Sequence, residues 1–283
     1  METAHLGLLD WSFEPTVSIG VAGVGLGYAA AWRQRLLSSS DDTSPWLGAP
    51  RLRVLIFGVG LVSGWLALQS PIDTGGDRYL LFLHMLQHLV LMMVAPPLVL
   101  LGIVGARPPD ENVAPRLRAL WTALSRPWPA ALLFNSVLLV WHLPALYNAT
   151  LTDEPLHIVE HLTFVAAGVL FWWPIVDPLR RSSTVVVSPF QKMAMLVLAG
   201  VPPTVIGLVF ALSSTAYYSF YTAAPRLWGL SAVSDQQIAG VMMFGAGNLI
   251  YFLAISIIFL RLFGRPEDDE SGAEEAARRR AIG

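Results

Sequence analysis

Long apolar runs are the feature that most constrains how this chain can fold. One of them, LFLHMLQHLVLMMVAPPLVLLG, extends from Leu81 to Gly102. A transmembrane helix needs about 20 predominantly apolar residues to cross about 30 Å of hydrocarbon. Only 13% of the 283 residues are charged, whereas soluble domains average about 25%. The sequence therefore predicts an integral membrane protein.

Seven runs have the length and composition of membrane spans. They cover residues 16–34, 52–70, 78–102, 128–147, 155–176, 190–212 and 235–262. The strands of a membrane β-barrel would alternate apolar and polar residues in segments of about ten. These runs do not alternate, so we predict an all-α, polytopic membrane protein with seven transmembrane helices. The transmembrane domain covers residues 1–264, and the polar, charge-rich residues 265–283 are predicted to form a disordered cytoplasmic tail.

The distribution of basic residues predicts how the spans are oriented. All of the 18 basic residues except Arg78 and Arg226 lie in or beside the connections that follow spans one, three, five and seven. Cytoplasmic loops accumulate Lys and Arg. We therefore expect the N-terminus outside and the C-terminus in the cytoplasm, an arrangement that requires an odd number of spans. The net charge of −2 hides this asymmetry.

Histidines are concentrated in the predicted outer halves of spans three, four and five. Five of the six lie there: His84, His88, His142, His157 and His161. The segments HMLQH and HIVEH are i, i+4 pairs, which place both imidazoles on one helix face. Ionisable residues within a membrane are costly and usually functional. Two imidazoles one turn apart suit a metal ion, so we predict these five residues as metal ligands.

Further polar and sulfur-containing side chains accompany the histidines. Glu160, between His157 and His161, is predicted to orient an imidazole or to help an ion enter. Asp235 and Gln236, at the outer mouth of span seven, are assigned the same role. Met242 and Met243 lie deeper in that span and are possible ligands of Cu(I), which thioethers favour. No cysteine is present, so thiolate ligands are excluded.

The histidines do not form the motif of a metalloprotease. In HExxH a glutamate directly follows the first histidine, whereas Met85 and Ile158 occupy that position here. We therefore predict that the protein is not an enzyme. Imidazole suits zinc, copper, iron and nickel, so the ligand types alone do not choose the metal or its oxidation state. Nucleic-acid binding has no support, because the basic residues are explained by topology.

Four blocks of sequence resemble a known family. HMLQHLVLMMVAPPLVLLG, WHLPALYNATLTDEPLHIVEH, FWWPI and DQQIAGVMMF occur in order along the chain. They resemble the CtaG family, the seven-span assembly factor of the caa-type cytochrome c oxidase. The absence of cysteine distinguishes the chain from the single-span copper chaperone that shares the name. The resemblance implies a multi-pass protein of the plasma membrane that helps copper reach the oxidase, with copper as its ligand and oxidase subunits and the lipid bilayer as its partners.

Other functions remain compatible with the sequence. Histidines on facing helices could be the axial ligands of a b-type haem in an electron carrier. The protein could instead be a copper transporter, although no comparable series of ligands continues into the cytoplasmic half. A purely structural scaffold for oxidase subunits would make the histidines dispensable. The oligomeric state, and whether all five histidines form one site, are not determined by the sequence.

Overall fold

The computed structural model describes residues 5–34, 50–105, 115–178 and 187–263, and these residues form helices and their connections without a strand. The prediction of an all-helical fold is therefore confirmed for this part of the chain. The predicted tail, residues 265–283, lies outside the described residues, as do several arginines on which the predicted orientation depends.

Thirteen α-helices and one π-helical segment make up the described part. They are α1 (Pro15–Arg33), α2 (Pro50–Gln69), α3 (Pro71–Arg78), α4 (Leu81–Leu89), the π segment (Val90–Val94), α5 (Ala95–Gly102), α6 (Pro115–Leu124), α7 (Pro127–Trp141), α8 (Pro144–Thr150), α9 (Glu154–Val176), α10 (Pro189–Ala199), α11 (Val201–Leu212), α12 (Ser219–Ala223) and α13 (Ala232–Phe263). Several helices begin with proline, whose fixed φ suits the first helical position and whose missing N–H is not needed there.

Five of these helical stretches are long and apolar enough to cross a membrane, and they correspond to predicted spans two, three, five, six and seven. They cover Arg51–Gln69, Leu81–Gly102, Glu154–Val176, Pro189–Leu212 and Ala232–Phe263. A sixth is possible if α6 and α7, which are bent by 78° at their junction, are taken together. Helix α1 occupies the position of predicted span one and has 19 residues. The total of seven spans and their orientation remain predictions.

The third predicted span changes its helical pitch near its middle. Pro96 and Pro97 lack backbone N–H groups, so the carbonyl of Met92 has no partner four residues ahead. The structure has π-helical geometry over Val90–Val94, directly before the prolines. The indole Nε1 of Trp172 on α9 donates to the Met92 carbonyl at 3.2 Å. The freed backbone group is therefore satisfied by a neighbouring helix, as is required within a membrane.

The histidines and the basic residues lie at opposite ends of the helices. The short helices α3, α8 and α12 lie at the end where α4 and α9 begin. At the other end, the guanidinium of Arg53 donates to the carbonyl of Val104, and the Lys192 ammonium donates to that of Ile175. Arg53 and Lys192 therefore lie at the end of the bundle remote from the histidines, in agreement with the asymmetry expected from the sequence.

Candidate metal centre

Four of the five predicted histidines face one another between α4 and α9. His84 and His88 lie one turn apart on α4, and their ring centroids are 4.3 Å apart. His157 and His161 have the same spacing on α9, with centroids 4.1 Å apart. Between the helices, the His84 ring lies 5.3 Å from that of His157, and the His88 ring lies 5.4 Å from that of His161. We call these four side chains the histidine cluster.

Two overlapping sets of three donor atoms occur within and beside the cluster. One set comprises His84, His88 and His161, and the other comprises Asp77, His84 and His157; within each set the atoms lie within 4.8 Å of one another. A bound transition metal holds its nitrogen ligands at about 2.0–2.1 Å, so small side-chain rotations would bring either set into coordination. His84 is common to both sets and therefore joins them.

The donor nitrogens of the cluster are not used by other protein groups. Among the described residues, the Nε2 atoms of all four rings are buried and lack a hydrogen-bond partner. Most buried polar side-chain atoms in folded proteins have at least one such partner. Converging, unpaired imidazole nitrogens are therefore the arrangement that a metal ion would satisfy, and the residues present fit one.

A hydrogen-bond chain selects the tautomer of His84. The Tyr221 hydroxyl donates to the carbonyl of Gly76 at 2.7 Å, so its oxygen is free to accept from His84 Nδ1, 3.0 Å away. Burial raises the pKa of Tyr221, which keeps the phenol protonated. This bonding pattern assigns the proton of His84 to Nδ1 and leaves a lone pair on Nε2. Tyr221 thus orients a candidate ligand, as partners of metal-bound histidines commonly do.

The carboxylate side of the site comes from α3. The Asp77 Oδ1 atom lies 3.6 Å from the Nε2 atom of His157. Burial, with the nearby charges of Asp73 and Glu160, raises the pKa of Asp77 well above its ordinary value. Helix α3 approaches α4 closely, because a Cβ on Gly76 would lie 2.9 Å from the backbone of His84. Only glycine permits this approach, which brings the carboxylate to the histidines.

Glu160 lies against the inner part of the cluster. Its side chain is fully buried, and its Oε1 atom lies 3.9 Å from His88 Nε2, beyond hydrogen-bond distance. Neither carboxylate oxygen accepts a hydrogen bond from the described residues. A buried carboxylate without a partner is costly, and a cation held by the histidines would compensate its charge. This position is consistent with the predicted supporting role of Glu160.

His142, the fifth predicted ligand, belongs to neither set of three. Its Nδ1 atom donates to the carbonyl of Leu138 at 2.7 Å, which leaves the lone pair on Nε2. That Nε2 atom is buried and has no partner among the described residues. The ring lines a neighbouring cavity, which also contacts His88. The structure therefore brings four of the five histidines together and places the fifth beside them.

Asp235 and Gln236 support the backbone around the site. The two carboxylate oxygens of Asp235 accept the backbone N–H groups of Leu81 and Phe82 at 2.8 and 3.0 Å. Asp235 thus caps the first turn of α4, the helix that carries His84 and His88. The Gln236 amide bonds to the backbone of Thr215 and Tyr217. Both side chains position neighbouring elements, and neither belongs to the two sets of candidate ligands.

The two methionines that were predicted as possible ligands differ in position. Met243 lines the cavity beside His88, whereas Met242 is not among its lining residues. Sequence reasoning did not assign a role to Asp77 or Tyr221. Asp77 lies just before the span that carries His84 and His88, so its position in the sequence could have indicated that it lies near them. Tyr221 lies in a connection far along the chain and carries no such signal. Only the folded structure brings its hydroxyl to His84.

Comparisons with known proteins place the chain in a described family. Residues 26–265 match the family described as cytochrome c oxidase caa3 assembly factor (Caa3_CtaG). Proteins of uncharacterised function from Mycobacterium bovis and Mycobacterium tuberculosis are each 26% identical to it over 276 residues, and one from Mycobacterium leprae is 24% identical over 264 residues. The alignments cover 88%, 88% and 87% of this chain but 38% of each relative, so the chain spans well under half of their length. No solved structure matches the chain.

Proposed function

Because the chain belongs to the cytochrome c oxidase caa3 assembly factor family, we propose that it binds copper at the histidine cluster and helps deliver it to the copper site of the oxidase. The observation that carries this proposal is the convergence of four imidazoles whose Nε2 atoms are buried and unpaired. The donor set alone would suit several metals. The choice of copper rests on the family, since cytochrome c oxidases contain copper.

The two overlapping ligand sets suggest how an ion would move. Asp77 and His157 are both partly exposed, whereas His88 is buried. An ion that enters at Asp77, His84 and His157 would reach His88 and His161 by exchanging two ligands while His84 stays bound. Stepwise exchange avoids a fully uncoordinated ion in a medium of low dielectric constant. A delivery protein needs this property, because it must release its cargo.

We also propose that the protein is a seven-span protein of the plasma membrane with the histidine cluster toward the outer face. This orientation follows from the basic residues at the opposite ends of the helices. It is supported by the positions of Arg53 and Lys192, which bond to backbone carbonyls at the end remote from the cluster. The N-terminus would then lie outside and the C-terminus in the cytoplasm.

The geometry argues against the alternative of a b-type haem. Two axial imidazoles must lie on opposite faces of a flat macrocycle. The ring centroids within the cluster are separated by 4.1 to 6.1 Å, and the rings surround one region of space. A macrocycle between His84 and His161 would overlap the rings of His88 and His157, which lie 4.1 to 5.4 Å from them.

The experiment that tests the proposal compares histidines inside and outside the cluster. The double variant His84→Ala/His88→Ala should lose the copper bound at the histidine cluster after loading with Cu(I) in detergent, and a strain that depends on it should lose oxidase activity while keeping its oxidase subunits. His5→Ala is the matched control, because this exposed histidine lies before α1, and it should retain both. Unchanged oxidase activity in the double variant would contradict the proposal in favour of a scaffold, and a Soret band would indicate haem.

A further inference from the structure

A cavity rich in methionine adjoins the histidine cluster. It is partly open and extends from His88 toward the middle of the bundle. Its lining includes four buried methionines: Met85, Met92, Met93 and Met243. The chain has eight methionines, so half of them surround this one space. We call it the methionine cavity.

The methionines of this cavity pack in the apolar core and also line an open space. Methionine commonly fills irregular gaps because its side chain is flexible. Here the four methionines line an open space, and they come from three different elements: α4, the π segment and α13. Met195, which packs in the same apolar cluster as Met92 and Met93, is fully buried and does not line the cavity. Packing in the core therefore does not by itself place a methionine at this space.

The π segment accounts for two of the four thioethers. Met85, His88, Leu89, Met92 and Met93 have the i, i+3, i+4, i+7, i+8 spacing of one helix face, and all five line the cavity. Met92 and Met93 lie within the π-helical turn before Pro96. π-helical turns inside α-helices occur frequently at functional sites. Met92 and Met93 thus lie both at this irregular turn and at the cavity wall.

Two unpaired imidazoles also line the cavity. The Nε2 atom of His142 is buried and without a hydrogen-bond partner among the described residues, and its lone pair is fixed by the bond from Nδ1 to Leu138. Both ring nitrogens of His88 are likewise buried and unpaired. The lining therefore combines soft sulfur donors with nitrogen atoms that form no hydrogen bond with the described residues. The carboxylates Asp77 and Glu160 do not line it.

We propose that the methionine cavity is a second metal site, which binds a soft monovalent cation such as Cu(I) through thioether sulfur and an imidazole. Thioethers select Cu(I) over divalent ions such as Zn²⁺, whereas imidazoles accept both. The absence of carboxylate from the lining favours a cation of low charge. This site goes beyond the copper site proposed above, and it accounts for His142, which the histidine cluster does not use.

The test is a loading experiment with Ag(I) and Cu(I) on the full chain in detergent. Ag(I) has the same charge and softness as Cu(I) and does not change oxidation state. In the variant Met92→Leu/Met243→Leu we expect the loss of one equivalent of bound Ag(I) per chain. X-ray absorption of the Cu(I)-loaded wild type should show copper–sulfur scattering, and this signal should disappear in the variant. Leucine has nearly the volume of methionine, so the variant should fold.

Met195 and Met242 provide a matched control, because neither lines the cavity. Met242 lies next to Met243 on α13 but does not line the cavity. The variant Met195→Leu/Met242→Leu removes the same number of sulfur atoms and should keep the silver equivalent and the sulfur signal. A sulfur signal that survives in Met92→Leu/Met243→Leu, or wild-type copper that has nitrogen ligands only, would overturn the proposal.

A further variant separates this inference from the proposed function. His157 and His161 do not line the methionine cavity. The variant His157→Ala/His161→Ala should lose the copper bound by nitrogen alone and keep the copper bound by sulfur. If it kept both, the histidine-cluster proposal would fail while the cavity site would stand.

Discussion

The histidine cluster and the methionine cavity are neighbours with different means of support. His88 contacts both, and the span from Leu81 to Gly102 contributes donors to each. The cluster is held by hydrogen bonds, since Tyr221 fixes the tautomer of His84 and Asp235 caps the helix that carries it. In the cavity, the methionines are placed by the packing of α4, the π segment and α13. Directional donors such as imidazole need orientation, whereas flexible thioethers need only proximity.

The donor atoms of the two regions also differ, so the two regions would bind different metal ions. Imidazole and carboxylate donors accept several divalent and monovalent ions. The cavity offers sulfur and imidazole donors without a carboxylate, and this set of donors suits soft metal ions. An ion that moves from Asp77 through the cluster to the cavity would meet successively softer donors. The variants below distinguish the two regions by damaging both, one or neither of them.

The largest effect is expected at Asp235, whose loss should damage both regions. Asp235→Ala removes the acceptor of two buried backbone N–H groups at the start of α4. Each buried donor left unsatisfied costs about 1–3 kcal/mol, so the free energy of unfolding should fall by about 2–6 kcal/mol. Asp235→Asn keeps one side-chain carbonyl oxygen and should lose less. Thermal unfolding in detergent measures both variants, and equal losses would show that capping is not the cause.

Tyr221→Phe should weaken the histidine cluster and spare the methionine cavity. The variant removes the oxygen that accepts from His84 Nδ1. The loss of such an orienting partner typically lowers metal affinity about 10–100-fold. Competition with a Cu(I) chelator measures the change. Tyr217→Phe is the control, because this half-exposed tyrosine has no contact with His84, and an equal loss in that variant would argue against the orienting role.

Trp172→Phe should disturb the methionine cavity and spare the cluster. The indole N–H is the partner of the Met92 carbonyl at the π segment. The loss of this hydrogen bond should cost a net amount of about 0.5–1.5 kcal/mol of stability. The smaller phenyl ring also loses packing contacts. We expect weaker Ag(I) binding with unchanged copper binding by nitrogen ligands. The adjacent Trp173, which contacts Trp121 instead, provides the control Trp173→Phe, and weaker Ag(I) binding there too would contradict the assignment.

Asp73→Asn should change the pH dependence of stability without removing a candidate ligand of either metal region. Burial raises the pKa of Asp73 to about 6, although hydrogen bonds from Ser12 and Gln87 act in the opposite direction. Because the folded state holds this proton more tightly than the unfolded state, stability should fall as pH rises from about 4 to about 6. Thermal unfolding of the wild type and of Asp73→Asn, at several pH values from about 4 to about 6, gives the difference in their stabilities. The change of this difference with pH measures the contribution of Asp73. A constant difference across the window would show that Asp73 does not titrate there.

Much of the fold was predictable because membrane helices leave a strong local signal. A helix occurs near each predicted span in the described part of the chain, with ends within a few residues for most of them. The fourth predicted span, 128–147, is the exception, since α7 ends at Trp141 and α8 begins at Pro144. Pro144 explains the break, because it cannot continue an α-helix hydrogen-bond ladder.

The candidate site was predictable only in part. The i, i+4 spacing placed His84 with His88 and His157 with His161, and the two pairs do face one another. The sequence could not show that Tyr221 and Asp235 approach α4, since each contact joins residues more than a hundred positions apart. It also treated Met242 and Met243 alike, and only the rotation of α13 separates them.

The sequence by itself determined that the chain is helical, that it is rich in apolar segments of membrane length, and that its histidines form pairs on helix faces. These properties depend on hydrophobicity and on residues three or four apart, which act over short distances along the chain. The tertiary structure decided which pairs converge, which nitrogen of His84 is free, and which methionines surround the cavity. Such features depend on helix rotation and on contacts between distant segments, and a uniformly apolar helix carries no local signal for its own rotation.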